Sequence, residues 1–308
     1  MKTNLLIWIV GVLAGILTNE CRADLNGSDN FDDNSKDPTR WGADFSNGVG
    51  VLTETNGHLE YTTLGSPSSF DFVAHPWTLN SASYTQDWEV QIDVNSPVLG
   101  QRVDLGLLVG PGSDPTVLFT HRFNMQFNKL PSHEFHEFRC AIATDGVEQE
   151  LGTPQSAPAF AALRVVFNAS TKTLSGYYDD NGPECGYSWK LLGAATVPAA
   201  WNMTAASVFG ISLMGKSANA VIASTNNVFM DNFAASSGTT PQLAISRVGG
   251  SIVLAWPTNN PTCHLELTPS LTPPVCWQAV TNTPGIVGTN FTVTNTVSSG
   301  TRFYRLSR

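Results

Sequence analysis

The strongest constraint on the fold of this chain is an alternation of apolar and polar residues in short segments. In DWEVQIDV, residues 87–94, every second side chain from Trp88 onward is apolar, and the side chains between them are polar. Successive side chains of a β-strand point to opposite faces, so this pattern predicts a strand with one buried face. Similar segments recur between turn residues, and a 3.6-residue period is almost absent after residue 23. The sequence therefore predicts an all-β sandwich or jelly roll.

Further segments predict strands of the same domain. VDLGLLVG is followed by VLFTHRFNMQFN, residues 117–128, in which an apolar row alternates with a polar row from Phe119 onward. LRVVFNA and TLSGYYDD predict a hairpin around residues 168–172, and SVFGISLMG and NVFMDNFAA would close the domain. One face of each strand would enter the core, and the other would meet solvent or a ligand.

The first residues have the pattern of an export signal. Lys2 gives a positive start, residues 5–17 form an apolar run, and Cys21-Arg22-Ala23 predicts cleavage after Ala23. The run is shorter than the roughly 20 residues that a membrane-spanning helix needs, and no second apolar run follows. We therefore expect a secreted or cell-envelope protein without a membrane span, with a retained anchor as the alternative.

The charge balance argues against nucleic acid as a partner. The chain has 16 Lys and Arg against 25 Asp and Glu, a net charge of −9. Binding to phosphates needs clustered cations, which this composition does not favour. The negative charge is also simply a means of staying soluble.

Composition divides the chain into two domains. After the signal peptide at 1–23, the predicted jelly roll occupies residues 24–234, and a linker rich in Ser, Gly and Thr occupies 235–242. Residues 243–308 hold five or six short predicted strands, as in a small sandwich of the fibronectin or immunoglobulin kind. A core of that size is marginal by itself.

Four cysteines follow the signal peptide, and an even number in an exported chain suggests disulfides. Cys263 and Cys276 flank a compact segment of the last domain, so they are the first predicted pair. Cys140 with Cys185 follows by elimination. Four free, buried thiols are the alternative, and no Cys/His spacing indicates zinc.

Residues 29–234 resemble the concanavalin A-like lectin/glucanase superfamily. The segments that carry this resemblance are DNFDDNSKDPTRWG, DWEVQIDV, LRVVFNASTKTLSGYYDDNGPECGYSWKLLG and FMDNFAA, in that order. Residues 243–308 look like a short β-sandwich found at the C-terminus of many exported bacterial proteins. The resemblance implies a jelly roll of two antiparallel sheets followed by an accessory module. Sugar-binding modules and laminarin-type glucanases share this fold, which does not choose between them.

The segment SHEFHEFRC invites a metal-site interpretation because it holds two histidines and two glutamates. A helical zinc site needs histidines four residues apart, whereas His133 and His136 are three apart. In a strand they point to opposite faces, and His136 is in register with Phe138 and Cys140. We therefore predict a strand edge with solvated charges rather than a metal site.

Catalysis is not indicated by the carboxylates. The Glu-x-Asp-x-x-Glu motif of laminarin-type enzymes is absent. Glu89 and Asp93 lie on one predicted face, but at about 3.3 Å per residue they are roughly 13 Å apart. Glycoside hydrolysis needs about 5–9.5 Å between its two carboxyl groups. Carboxylates from neighbouring strands could still meet, so an enzyme of this fold stays the second hypothesis.

Two polar rows are the best candidates for a ligand-binding surface. They consist of Arg122, Asn124 and Gln126 on one strand and Glu89, Gln91 and Asp93 on another. If both rows lie on one concave sheet, they would line a shared groove. Four aromatic residues in or near loops could then stack on a sugar ring: Trp77, Tyr84, Tyr187 and Trp189. The alternative is a solvated sheet face with loop aromatics covering the core. We expect non-catalytic binding of an extracellular glycan, with a structural or adhesive surface protein as the third hypothesis.

Acidic residues at the two ends of the domain suggest a structural calcium ion. Asp29 and Asp32 near the start and Asp231 near the end could converge if the first and last strands are neighbours. Ca²⁺ takes six to eight oxygen ligands, often carboxylates and carbonyls. Ordinary turn chemistry of Asp and Asn is the alternative.

Overall fold

The computed structural model describes residues 25–66, 71–97, 102–129, 135–181, 186–218, 221–223, 227–238, 243–258, 263–272, 275–296 and 301–307. The predicted signal peptide lies outside these ranges, as do His133 and Cys185. In the ranges described, no helix is both long and apolar enough to cross a membrane.

Two large antiparallel sheets, A and B, form the first unit, and we number the strands in chain order. Within the described residues, sheet A contains β1 Gly27–Asp29, β3 Gly50–Thr55, β4 His58–Thr63, β6 Trp88–Asn95, β12 Phe160–Asn168, β13 Thr173–Asp179, β14 Lys190–Thr196 and β16 Phe229–Ser237. Sheet B contains β2 Phe45–Ser46, β5 Asp71–Ser83, β7 Arg102–Pro111, β8 Arg122–Lys129, β9 His136–Thr144, β10 Val147–Glu150, β11 Gln155–Ala157 and β15 Val208–Ala218. The all-β antiparallel sandwich predicted from the sequence is confirmed.

The main core lies between the inner faces of sheets A and B. Trp88 and Val90 of β6 and Phe123 and Phe127 of β8 are buried in it, as their alternation predicts. His136 points inward as expected, and its ring stacks on Phe127 with the centroids 4.7 Å apart. Burying apolar area of this extent, at about 25 cal/mol per Å², is the main force that holds the two sheets together.

A short helix covers part of the outer face of sheet B, at a place where the alternating sequence pattern predicts a strand. The sequence predicts a strand over residues 117–128, but Pro115–Phe119 forms a 3-10 helix and β8 starts at Arg122. The Asp114 side chain accepts a hydrogen bond from the Thr116 N–H and caps this helix. Leu118 then packs on Phe72, Leu108 and Met214 outside the sheet, in a small second apolar cluster.

The last unit has its own sheets and its own core. Within the described residues, sheet C contains β17 Ala244–Val248, β18 Ser251–Pro257, β21 Gly285–Val287 and β22 Asn290–Thr296, and sheet D contains β19 His264–Thr268, β20 Gln278–Ala279 and β23 Phe303–Ser307. Leu254, Trp256, Leu265 and Val293 are buried together between them. Every residue of β17 and β21, the two edge strands of sheet C, is exposed.

The predicted disulfide pairs do not form. Cys140 and Cys263 are both free and buried, so Cys263–Cys276 and Cys140–Cys185 are wrong. Alternation turns Cys140 into the main core, where its Sγ atom would lie 2.8 Å from a Cβ added to Gly176. Cys263 instead packs in the core of the last unit. Cys276 does take part in a disulfide, and its partner is neither of these two thiols.

Candidate functional site

The two polar rows predicted to share one groove lie on opposite outer faces of the sandwich. β6, with Glu89, Gln91 and Asp93, belongs to sheet A, whereas β8 belongs to sheet B. The apolar side chains of both strands fill the core between the sheets, so the polar rows point away from each other. The prediction of a shared groove is therefore wrong, although each row does occupy one face of its own strand.

The row on β8 leads to a cavity that we call the outer pocket of sheet B. The cavity has a volume of about 200 Å³. Arg122 and Gln126 line it from β8, Arg139 from β9 and Lys216 from β15, while Phe72 and Phe119 provide an aromatic wall. Residue pairing explains the grouping, because Gln126 lies directly opposite both Arg139 and Gly106. Gly106, which lies between Gln126 and Met214 across the sheet, presents no side chain there.

Ion pairs hold the charged side chains of the outer pocket. Arg122 donates to Glu148 at 2.5 Å and also to the carbonyl oxygens of Leu118 and Phe119, which fixes the end of the 3-10 helix. Arg139 makes a bidentate pair with Glu150, with both N–O distances 3.0 Å. Glu150 thereby raises the pKa of the Arg139 guanidinium above its usual value.

The floor of the outer pocket is buried and charged. The Lys216 Nζ atom lies 3.2 Å from Asp104 Oδ2, and Arg102 Nη2 lies 3.5 Å from the same oxygen. Burial lowers the pKa of Lys216, and the Asp104 carboxylate opposes this effect. Two cations therefore share one carboxylate beneath the cavity.

The amides of β8 differ in their access to the pocket. Gln126 is 8% exposed and lines the cavity, whereas Asn124 is only 1% exposed. Both amide atoms of Asn124, and both of Asn128, lack a hydrogen-bond partner in the described part of the chain. The prediction that Asn124 would be open to a ligand is wrong, because its side chain is almost fully buried.

The polar row of β6, on the outer face of sheet A, includes a buried carboxyl group. Asp93 is 1% exposed and accepts hydrogen bonds from the Tyr187 hydroxyl at 3.0 Å and the Asn232 amide at 2.9 Å. Burial nevertheless raises the pKa of the Asp93 carboxyl to about 7. Asp231, opposite Asp93 on β16, also has a raised pKa because it is partly buried. Glu89 forms an ion pair with Arg164.

A cleft of about 660 Å³ separates this face from the last unit. Gln91, Tyr187 and Asn232 line it from the first unit, and His264 and Glu266 line it from the last. The cleft is larger than the outer pocket of sheet B, but its walls come from two units that have separate sheets and separate cores. Its geometry therefore depends on how those units are held together.

Two of the candidate aromatic platforms fall elsewhere. Trp77 is a core residue, with its ring 4.9 Å from that of Trp41, so its predicted role as a sugar platform is wrong. Trp189 stacks on Tyr187 at 4.9 Å, with the Arg164 guanidinium 5.5 Å from its ring. Trp189 is thus placed near the interdomain cleft and not near the outer pocket of sheet B.

The three acids of the predicted calcium site have other partners. Asp29 accepts hydrogen bonds from the Trp41 indole at 2.8 Å and the Phe31 amide at 3.0 Å. Asp32 is paired with Asn30, and Asp231 lies 3.8 Å from the His58 ring nitrogen. Among the residues that the structure describes, no three His, Cys, Asp or Glu side chains form a metal-binding group. Calcium binding stays a prediction, without such a group to support it.

Several residues of the outer pocket were missed by the sequence reasoning, including Arg139, Lys216, Phe72 and Phe119. Arg139 could have been found, because alternation along HEFRC places it on the outer face. Phe72 and Lys216 lie on β5 and β15, which are separated from β8 by β7, and Phe119 lies in the 3-10 helix. The local sequence of these segments does not indicate that strand order.

Solved structures that resemble this chain in fold do so with low TM-scores and low sequence identity. Lectin II from Ulex europaeus is 9% identical with a TM-score of 0.42, covering 64% of this chain and 94% of that chain. An endo-1,3-beta-glucanase from Streptomyces sioyaensis is 12% identical with a TM-score of 0.46, covering 70% and 96%. Lectin I from Ulex europaeus, in complex with the methyl glycoside of alpha-L-fucose, is 11% identical with a TM-score of 0.43, covering 70% and 98%. No family model matches this chain, and no curated protein matches it. At these scores the similarity carries no argument about what the chain binds.

Proposed function

We propose that this chain is an exported, non-catalytic carbohydrate-binding protein, and that one sugar unit of a larger glycan enters the outer pocket of sheet B. The observation that carries the proposal is the pairing of polar and aromatic side chains around one cavity. Gln126, Arg122 and Arg139 supply hydrogen-bonding groups, and Phe72 and Phe119 supply an apolar wall. A small number of placed polar groups on a partly apolar wall is the usual composition of a ligand pocket.

The size of the pocket limits what can enter. At about 200 Å³ it is smaller than the roughly 300–1,000 Å³ of typical small-molecule pockets. One sugar unit would occupy it, and the remainder of the glycan would lie outside. The Arg122 bonds to the helix carbonyls hold its guanidinium in place before the ligand arrives. Such preorganisation lowers the entropic cost of binding.

A glycan array with the chain lacking residues 1–23, run with and without calcium, tests this proposal. We expect Gln126→Met to reduce binding at least several-fold, because it keeps the side-chain volume and removes the amide that faces the cavity. Gln91→Met, on the opposite face of the sandwich, is the matched control and should bind like the unmodified chain.

Two outcomes would overturn the assignment. Loss of binding in Gln91→Met but not in Gln126→Met would move the site to the interdomain cleft. Absence of binding to every glycan would favour the structural or adhesive role instead.

A carbohydrate-active enzyme of the same fold is the second candidate, favoured by the carboxylates of sheet A. Asp93 and Asp231 are directly opposite each other on adjacent strands, where Cβ atoms are about 4.5–5.5 Å apart. Glycosidases pair a carboxylic acid that has a raised pKa with a second carboxylate, and the raised pKa of Asp93 fits the acid of such a pair. Tyr187 and Asn232 cover Asp93, however, so a substrate would have to displace them. Release of reducing ends from a bound glycan, lost in Asp231→Asn, would favour this candidate.

A further inference from the structure

The outer pocket of sheet B concentrates positive charge in an acidic chain. The whole chain has 16 Lys and Arg and a net charge of −9. Four of those cations, Arg102, Arg122, Arg139 and Lys216, line this single cavity. Among the described residues that line it, Glu148 alone carries negative charge. The pocket therefore differs in sign from the protein as a whole.

The floor of the pocket has more positive than negative charge. Lys216 and Arg102 both approach Asp104 Oδ2, so one carboxylate serves two cations. Lys216 and Asp104 are both buried, at 7% and 0% exposure. Buried charge is costly unless it is compensated. An anionic group in the cavity would add negative charge beside these two cations.

The two arginines at the rim of the pocket, Arg122 and Arg139, can exchange their glutamate partners for an anionic group of a ligand. The Glu148 and Glu150 side chains that pair with Arg122 and Arg139 are 37% and 38% exposed. Ion pairs as exposed as these contribute little to stability, about 0–1 kcal/mol. A guanidinium binds a carboxylate or a sulfate through two parallel hydrogen bonds, as the Arg139–Glu150 pair already shows.

We propose that the outer pocket of sheet B selects a negatively charged sugar unit, bearing a carboxylate or a sulfate ester, of an acidic polysaccharide. This inference rests on the proposed carbohydrate binding and adds the substrate class. The anionic group enters between Arg139 and the Lys216–Arg102 floor, and the sugar ring packs on Phe72 and Phe119. Because the protein is acidic overall, it repels a polyanion elsewhere on its surface, so binding depends on this local reversal of charge.

The experiment compares three polysaccharide probes by titration calorimetry at 50 mM and 500 mM NaCl, with the chain lacking residues 1–23. The probes are polygalacturonate for the carboxylate, dextran sulfate for the sulfate ester, and dextran as the neutral polymer. Arg139→Gln is the test variant, since Arg139 is at the rim and not in the core. Arg247→Gln is the matched control, because Arg247 is an exposed arginine on β17 of the last unit.

We expect one of the two anionic probes to bind at least ten times more tightly than dextran. Arg139→Gln should weaken that binding about tenfold or more, the usual effect of losing a charge-assisted hydrogen bond, and Arg247→Gln should leave it within twofold. The carboxylate and sulfate probes identify which anion fits.

Other results would overturn the inference in distinguishable ways. Tight binding of neutral glycans that is sensitive to Gln126→Met but not to Arg139→Gln would leave the proposed function standing and refute the anionic preference. Polyanion binding weakened equally by Arg247→Gln and Arg139→Gln would indicate nonspecific attraction. Failure of all polysaccharides to bind, together with a silent glycan array, would refute both proposals.

Discussion

At the scale of single residues, the Asp93 carboxyl lies in a buried environment that disfavours its ionised form. It is buried, and hydrogen bonds from Tyr187 and Asn232 only partly offset the cost of removing it from water. Its pKa is raised from 3.8 to about 7 for that reason. Between those two values the folded chain keeps a proton that the unfolded chain has already released. Raising the pH through this range therefore lowers the free energy of unfolding.

The substitution Asp93→Asn should remove this pH dependence. We expect the variant to lose less stability than the unmodified chain between pH 4 and pH 7, by up to about 1.4 kcal/mol per pH unit. Urea denaturation at several pH values measures the difference. Asp145→Asn is the control, since its carboxylate is exposed at a turn between β9 and β10. Parallel pH profiles for Asp93→Asn and the unmodified chain would contradict the prediction.

At the scale of elements, the 3-10 helix at Pro115–Phe119 shapes the outer pocket of sheet B. Its Leu118 side chain is buried against Phe72, Leu108 and Met214, and its last carbonyls are held by Arg122. The helix thus supplies part of the aromatic wall through Phe119. A short helix fixed at these points keeps that wall beside Arg122 and Gln126.

Removing the Leu118 side chain should loosen this helix. We expect Leu118→Ala to lower the free energy of unfolding by about 2–4 kcal/mol, because it leaves a cavity in a small apolar cluster. Leu191→Ala, at an exposed position of β14, should change it by less than about 0.5 kcal/mol. Chemical denaturation compares the two variants. Equal stabilities would show that Leu118 does not anchor the helix.

Alternation along each strand could be read from the sequence, but the pairing of strands could not. The inward and outward residues of β6 and β8 were predicted correctly, because side chains on a strand alternate with a period of two residues, which is visible in the local sequence. Whether the two strands belong to one sheet depends on long-range contacts, and here they fall in different sheets. The same limit explains the disulfides: Cys140 could be read as inward-facing, yet its neighbours across the core could not.

At the scale of the whole molecule, Arg305 joins the two units. Its Nη1 atom donates to the Tyr187 carbonyl at 2.5 Å, its Nε atom donates to Glu266 at 2.7 Å, and its guanidinium lies 4.4 Å from the Trp277 ring. Tyr187 belongs to the first unit and the other partners to the last. One side chain near the end of the chain therefore contributes to the geometry of the interdomain cleft.

We expect Arg305→Ala to uncouple the unfolding of the two units. Losing charge-assisted hydrogen bonds, worth about 1.5–3 kcal/mol each, should destabilise the small last unit first. Differential scanning calorimetry would then show a second, earlier transition, which Arg247→Ala would lack. A single unshifted transition in Arg305→Ala would mean that the units are held together by other contacts.

The two buried free thiols allow the rate at which each core opens to solvent to be measured. Burial raises the pKa of Cys140 to about 12, and its sulfur is enclosed between the two sheets opposite Gly176. The thiolate is the nucleophile that attacks an alkylating reagent, so Cys140 can be labelled only while sheets A and B are apart. Cys263 records the same event in the last unit. Peptide mass spectrometry after timed alkylation would therefore give the opening rates of the two cores from one sample, without any substitution in the chain.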